Sequence, residues 1–398
     1  MARSARRTGG WWWAAGAVAA LAGCGDSGAP DPFPESEIPG ITRYFGSAAP
    51  ASTSEPEPDV VTYEFDPADG PQCMTGEPYR FSVRDAGSRD LMIFLQGGGA
   101  CWSGLCLAII SAPPGIAHVD VLRTDKPTNP FKDTSVVYLP YCDGSMFAGQ
   151  AERDSDGDGV VDRIYHGLQN VSVTLDVAAR EFPSPRRIYL VGSSGGSYGT
   201  IPASVLARKK WPFADIRVVQ DAGLGIARPG DPSFVDALLA EFGADDVIPD
   251  SCVDCTGDGH ITKLVEWGLE RDPDLSVMAL GAYEDFVIGD VFLGIGGAAY
   301  ADAVATETGE LHARFPNRYK RFLVDGREHT LTLGSITGLT GSDFGALLVE
   351  PWWKTLQLLS VQLGGIDSAE LDGTTLATWL DAMMRDDEKV FRDLTAAR

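Results

Sequence analysis

The chain predicts an α/β fold with a mostly parallel central sheet. Three observations carry this expectation. Short β-branched runs recur from residue 60 onward, helix-length stretches lie between several of them, and one apolar run ends in a glycine-serine turn. Strands that alternate with helices form βαβ units, which require parallel neighbours. In chain order the strand runs are VVTYEF, YRFSVR, LMIFLQ, SVVYLP, RIYLVG, IRVVQD, LSVMALGA and YKRFLVDG. The helix-length stretches are NVSVTLDVAAREF, GTIPASVLARKKW, SFVDALLAEFG, TKLVEWGLERD and FVIGDVFLGIGGAAYADAV. Two closing helices are expected from ALLVEPWWKTLQLLSVQL and TLATWLDAMMRDDEKVF.

Composition bounds what such a fold can do. The 398 residues are enough for one large domain, and 44% hydrophobic content with nine Trp provides a substantial core. Acids outnumber bases 56 to 32, for a net charge of −24. A surface this negative repels phosphate backbones, so nucleic acid is excluded as a partner. Residues 1–23 read as a signal peptide: MARSARR is basic, and WWWAAGAVAALAG is apolar but short for a membrane span. The segment ends in LAGC, which resembles a lipobox. The expectation is lipidation at Cys24 and a membrane anchor there, against an ordinary signal peptide with an incidental Cys. Residues 24–58 are rich in Pro, Ser, Ala, Gly and Glu and read as a tether, leaving 59–398 as the catalytic domain.

Export permits disulfides. Six Cys remain after Cys24: Cys73, Cys101, Cys106, Cys142, Cys252 and Cys255. They allow 15 pairings, and the sequence does not choose among them. Closeness suggests Cys101–Cys106 and Cys252–Cys255, leaving Cys73–Cys142. A zinc site is the competing use, but no His-x-x-x-His accompanies these Cys.

The stretch LVGSSGGSYGT holds two overlapping G-x-S-x-G matches, centred on Ser194 and Ser197. A nucleophile elbow needs a buried strand, a tight turn and then a helix. RRIYLV supplies the strand, which puts Ser194 at the turn and Ser197 in the first helical turn. Gly192 and Gly196 are then the residues that let strand and helix approach. A structural or phosphate-binding glycine turn would look similar. FLQGGGACW adds a glycine loop directly after another apolar strand. Amides of Gly98, Gly99 and Gly195 could together face a developing oxyanion. Five His are available: His118, His166, His260, His312 and His329. The order Ser, acid, His, with the His on a loop after the last strand, selects His329. The acid is expected after LSVMALGA, at Asp285, with Glu284 as the alternative and Asp290 already inside the next helix.

These pieces together resemble the pectin acetylesterase family, which includes Notum, an animal carboxylesterase that acts on lipidated signalling proteins. The matching segments are CMTGEPYRF, FLQGGGACW, LPYCDGSMFAG, YHGLQNV, VGSSGGSYGT, AYEDFVI and FLVDGREHT, spread over residues 70–335. The resemblance implies an α/β-hydrolase fold, a nucleophile at Ser194, a base at His329 and disulfides at the Cys of CWSGLC and YCDG. It places Ala100 where the family has Trp, which changes a pocket wall. It puts Glu284 at the usual place of the acid, with Asp285 one step later. The implied function is a secreted serine carboxylesterase that removes acyl groups, acetyl foremost, from an acylated carbohydrate or other ester. The alternative is a catalytically silent surface-binding module on the same scaffold.

Catalysis of this kind requires no cofactor. Two acidic loops leave room for structural calcium. DSDGDGVVD places Asp154, Asp156, Asp158 and Asp162 at positions 1, 3, 5 and 9 of a calcium-loop pattern, with Gly159 at position 6. Position 12 is Tyr165, so the bidentate Glu is missing. DCTGDGHIT is a weaker version of the same pattern.

Overall fold

A computed structural model describes residues 31–334 and 362–398. Ten strands form the central sheet: β1 (Ser52–Glu57), β2 (Val60–Glu64), β3 (Arg80–Arg84), β4 (Asp90–Leu95), β5 (Ser135–Leu139), β6 (Arg187–Ser193), β7 (Asp215–Asp221), β8 (Leu275–Ala282), β9 (Tyr319–Val324) and β10 (Leu394–Thr395). Their order across the sheet is β1-β2-β3-β5-β4-β6-β7-β8-β9-β10. From β5 to β10 every neighbouring pair is parallel, whereas β1, β2, β3 and β5 pair antiparallel. The mixed α/β class and the mostly parallel sheet are thus as expected, and all eight strand runs lie in strands.

The central strands β4 and β6 are covered on both faces and carry apolar residues at successive positions, whereas the edge strand β1 is polar and exposed. In β4, Leu91, Ile93 and Leu95 enter one core while Met92 and Phe94 enter the other. In β6, Ile188 and Leu190 divide from Tyr189 and Val191 in the same way. The first face packs under α1 (Gly167–Glu181), α2 (Gly195–Lys210), α3 (Pro232–Phe242), α4 (Thr262–Arg271) and α5 (Gly297–Arg314). The second packs under α6 (Leu376–Arg385), whose Trp379 is fully buried against Phe322 and Phe391. Arg208 at the end of α2 and Asp272 after α4 form a buried ion pair at 2.7 Å, and Arg208 also donates to the Ala214 carbonyl.

Three expectations need correction or bounding. The tether assigned to 24–58 does not extend that far: the compact unit begins at Asp31. Phe33, Ile38 and Ile41 are buried, Phe33 stacks on Trp267 at 5.2 Å, and Ser52–Glu57 pairs as an edge strand. A few apolar side chains at the right places outweigh a polar composition, and an exposed edge tolerates the Pro at 56. The stretch FVIGDVFLGIGGAAYADAV is not one helix. Val287–Phe292 forms a π-helical turn, Gly294 and Gly296 adopt φ of 66° and 83°, and α5 starts only after them. The signal segment 1–23, Cys24 and most of ALLVEPWWKTLQLLSVQL lie outside the described residues. Among the described residues no helix is long and apolar enough to cross a membrane.

The disulfides are Cys73–Cys142, Cys101–Cys106 and Cys252–Cys255, the pairing that closeness suggests. Three such bonds fit an oxidising compartment. Cys73–Cys142 closes a loop with a sequence separation of 69 and ties the segment before β3 to the segment after β5, whereas Cys252–Cys255 has a separation of only 3. Chain entropy makes the first worth about 4 kcal/mol and the last under about 2 kcal/mol. In denaturant titrations, Cys73→Ala/Cys142→Ala should therefore lose about twice as much stability as Cys252→Ala/Cys255→Ala, and equal losses would refute this ranking.

Candidate active site

Four adjacent parallel strands, β6 to β9, end at one edge of the sheet, and each delivers a polar side chain there. β6 runs into Ser194, which has φ 52° and ψ −123°, and α2 begins at the next residue. A non-glycine residue with positive φ is strained, and such strain concentrates at functional turns. The turn is possible because β6 and α2 nearly touch: a Cβ at Gly192 would collide with the Gly196 carbonyl, and one at Gly196 with the Leu95 carbonyl. Both were expected as close-approach glycines.

β9 leads to His329 and β8 to Asp285. His329 Nε2 lies 2.8 Å from Ser194 Oγ, and His329 Nδ1 lies 2.9 Å from Asp285 Oδ2. Asp285 Oδ1 also accepts the Ile288 N–H at 3.0 Å, so this carboxylate closes the following turn as well. Asp285 is 1% exposed, whereas Glu284 points to solvent. The acid and histidine loops are laced by backbone bonds from Tyr283 to Val324, Glu284 to Gly326 and Phe286 to Arg327. Ser197 is buried, with its Oγ donating to the Gly223 carbonyl at 2.8 Å, which makes it a structural neighbour of the turn. The other four His lie elsewhere. His166 bonds the Gly70 carbonyl, His312 the Tyr319 carbonyl and His118 is near Glu57, while His260 meets the Ala227 N–H and burial pushes its pKa down.

Such a chain can move a proton. The imidazole can take the hydroxyl proton at Nε2 while the carboxylate holds the Nδ1–H and fixes the tautomer. Donors for a developing oxyanion are at hand. Gly195 is the first residue of α2, where N–H groups have no intrahelical acceptor. Gly99, Gly195 and Ser194 share one cavity wall, with Ala100 beside them. Gly98 is not on that wall: its Cα faces the Tyr141 ring, where a Cβ would collide. The Gly97 N–H is engaged by Ser193 Oγ at 3.1 Å.

The fourth strand end, β7, supplies Asp221, which the sequence motifs do not single out. Its carboxylate is fully buried and accepts from Leu331 and Thr332, just past His329. Burial pushes its pKa up to about 6, against the lowering effect of these bonds. An Asp closing an apolar strand between the nucleophile and acid strands was the available signal.

The cavity reaching Ser194 has a volume of about 150 Å³ and an almost wholly apolar lining. It follows one side of α2, from Ser194 past Tyr198 and Ile201 to Val205. Those eleven residues of helix extend about 16 Å. Trp102, Phe234 and Phe292 line the cavity from three separate segments, with Trp102 centred 6.0 Å from Phe234 and 6.2 Å from Phe292. Ile38 and Ile41 line it too.

Of the expected calcium ligands, Asp154, Asp156 and Asp158 gather within 4.8 Å of one another. Asp162 does not join them, because its carboxylate accepts from the Ser155 N–H and hydroxyl. Tyr165 Oη bonds the Cys101 carbonyl. The second loop gathers no such cluster among the described residues. Three exposed carboxylates suit a hard cation in donor type, but the set is short of the six oxygens calcium takes. A cation held there stabilises the folded state by mass action. Calcium should then raise the Tm of the wild type but not that of Asp156→Ala, and identical melting curves would leave these Asp as surface charges.

Comparison with known proteins adds no relative: no family model matches the chain, and no curated protein matches it.

Proposed function

We propose that this protein is a serine carboxylic ester hydrolase with an α/β-hydrolase fold. The observation that carries the reading is the continuous Ser194–His329–Asp285 hydrogen-bonded chain beside a strained strand-to-helix turn. The chain order Ser, Asp, His, at the ends of β6, β8 and β9, supports the fold assignment. Ser194 Oγ attacks the ester carbonyl as His329 Nε2 takes its proton. The tetrahedral oxyanion is met by the Gly195 and Gly99 amides. It collapses by expelling the alcohol, which receives the proton from His329. Water, deprotonated by the same imidazole, then releases the acid and restores Ser194. The silent binding-module reading has less support, since all three groups stand within hydrogen-bonding distance. The three disulfides support an exported enzyme, with Cys24 proposed as its lipid anchor.

The cavity bears on the acyl group. Acetyl would fill little of an apolar slot of about 150 Å³, the size of an engineered cavity that binds benzene. The lining supports an apolar acyl chain of about six carbons over the acetyl implied by the family resemblance. Each methylene buried is worth about 0.8 kcal/mol, about fourfold in kcat/KM.

Ser194→Ala should lose on the order of 10⁶ in kcat, and Ser197→Ala should keep most of its activity. Asp285→Asn should cost on the order of 10⁴ in kcat with little change in Tm, since its amide oxygen can still accept the Ile288 N–H; Glu284→Gln should be mild. An active Ser194→Ala enzyme, or a dead Glu284→Gln one, refutes the assignment. Across p-nitrophenyl esters, kcat/KM should rise by about 10² from acetate to hexanoate. Ile201→Trp, partway along the slot and within reach of such a chain, should flatten that rise and spare acetate. A wild type that prefers acetate rules out the longer chain.

A further inference from the structure

Asp221 holds two parts of the site at once. Its backbone carbonyl accepts the Ser194 N–H at 2.8 Å, which ties the nucleophile turn to β7. Its carboxylate accepts the Leu331 N–H at 2.8 and 2.9 Å, the Thr332 N–H at 2.8 Å and the Thr332 hydroxyl at 2.6 Å. These donors sit two and three residues beyond His329. The residue between them and His329 is Thr330, with φ 67°. A β-branched side chain in the left-handed region is a strained outlier that persists only when its surroundings impose it. The Thr330 hydroxyl is also buried, with no hydrogen-bond partner among the described residues. Nothing about Thr330 itself favours this turn. The constraints come from outside: Asp221 on one side, and on the other the bonds from His329 N–H to the Gln362 carbonyl and from Gly364 N–H to the Thr330 carbonyl.

We propose that Asp221 is a positioning residue, whose carboxylate holds the strained 329–332 turn in the one conformation where His329 reaches Ser194. This rests on the triad reading above. Asp221 touches no reacting atom and acts through His329. Without it the turn can relax toward negative φ at Thr330, carrying the imidazole away from the 2.8 Å contact with Ser194 Oγ. A misplacement of about 1 Å costs about 10²-fold in rate. Relaxation at Thr330 leaves the acyl cavity walls in place, so KM should change little.

The test compares wild type, Asp221→Asn, Thr332→Val, Thr330→Gly and the Asp221→Asn/Thr330→Gly double variant. Substrate is p-nitrophenyl hexanoate, assayed well below the lowest Tm of the set. In Asp221→Asn an amide N–H₂ opposes the turn's N–H donors, and kcat should fall about 100-fold with KM within about twofold. Thr330→Gly alone should keep kcat near wild type. Glycine takes positive φ without strain, so the double variant should recover at least about tenfold over Asp221→Asn. A purely structural role predicts the opposite pattern: a lower Tm, wild-type kcat in the folded enzyme and no gain from Thr330→Gly. That pattern overturns the proposal, as does an Asp221→Asn loss that Thr330→Gly leaves unrelieved. Should Asp221→Asn not fold, Thr332→Val decides. Losing one hydrogen bond to the carboxylate should lower kcat about fivefold at constant KM, and an unchanged kcat overturns the proposal. Fluorophosphonate labelling of the wild type separates this from the parent reading. An unlabelled wild type sinks the triad assignment and this proposal with it, whereas labelling together with a wild-type-like Asp221→Asn sinks the proposal alone.

Discussion

The site depends on how closely α2 can approach the ends of β4 and β6. Gly192 and Gly196 sit where any side chain would strike a carbonyl of the opposing segment. With no Cβ at either place, the chain can leave β6, turn through Ser194 at φ 52° and enter α2 in one step. The rest of the edge follows from that step. The Ser194 amide reaches the Asp221 carbonyl, Ser197 turns inward to Gly223, and Gly195 lines the cavity. A larger residue at 192 or 196 would lever the helix off the sheet and unmake all of these contacts together.

The polar groups gathered at this edge are expensive to bury, and nearly all are satisfied. Asp285 answers both His329 and Ile288, and Asp221 answers Leu331 and Thr332 with its side chain and Ser194 with its backbone. The Thr330 hydroxyl has no partner among the described residues, and it lies in the strained turn between them. A residue held in such a conformation costs on the order of 1–3 kcal/mol. The edge is thus a place where stability is given up for geometry, while the two apolar cores beneath it carry the fold.

Much of this was legible in the sequence, for physical reasons that differ from element to element. The strands of a sheet covered on both faces are continuous β-branched runs, so they stand out. Ser194 could be told from Ser197 because a strand of known end fixes where the turn must fall. Asp285 could be favoured over Glu284 only by guess: the two are adjacent, and which one faces His329 is set by the backbone bonds between the 283–286 and 324–327 loops. Asp221 was marked only by its place at the end of an apolar strand, since its role arises from a turn more than a hundred residues later. Phe33, Ile38 and Ile41 were masked by the Pro- and Glu-rich chain around them. The break in the helix before α5 was written in Gly294 and Gly296, but a glycine inside an apolar run does not say whether the helix tolerates it or stops. Asp162 matched a spacing pattern, yet a nearby serine claims its carboxylate.

The burial of Phe33, Ile38 and Ile41 bears on how this protein could be released from a surface. Ile38 and Ile41 are part of the wall of the cavity that reaches Ser194. The segment following the proposed anchor therefore also forms part of the wall of that cavity. If Cys24 is the anchor, as proposed, a protease that cut between it and Asp31 would release the compact unit whole. One that cut ten residues later, after Ile41, would sever that wall from the body and open the pocket to water. On the proposed reading, the same stretch of chain separates a released form with its cavity whole from one with its cavity opened.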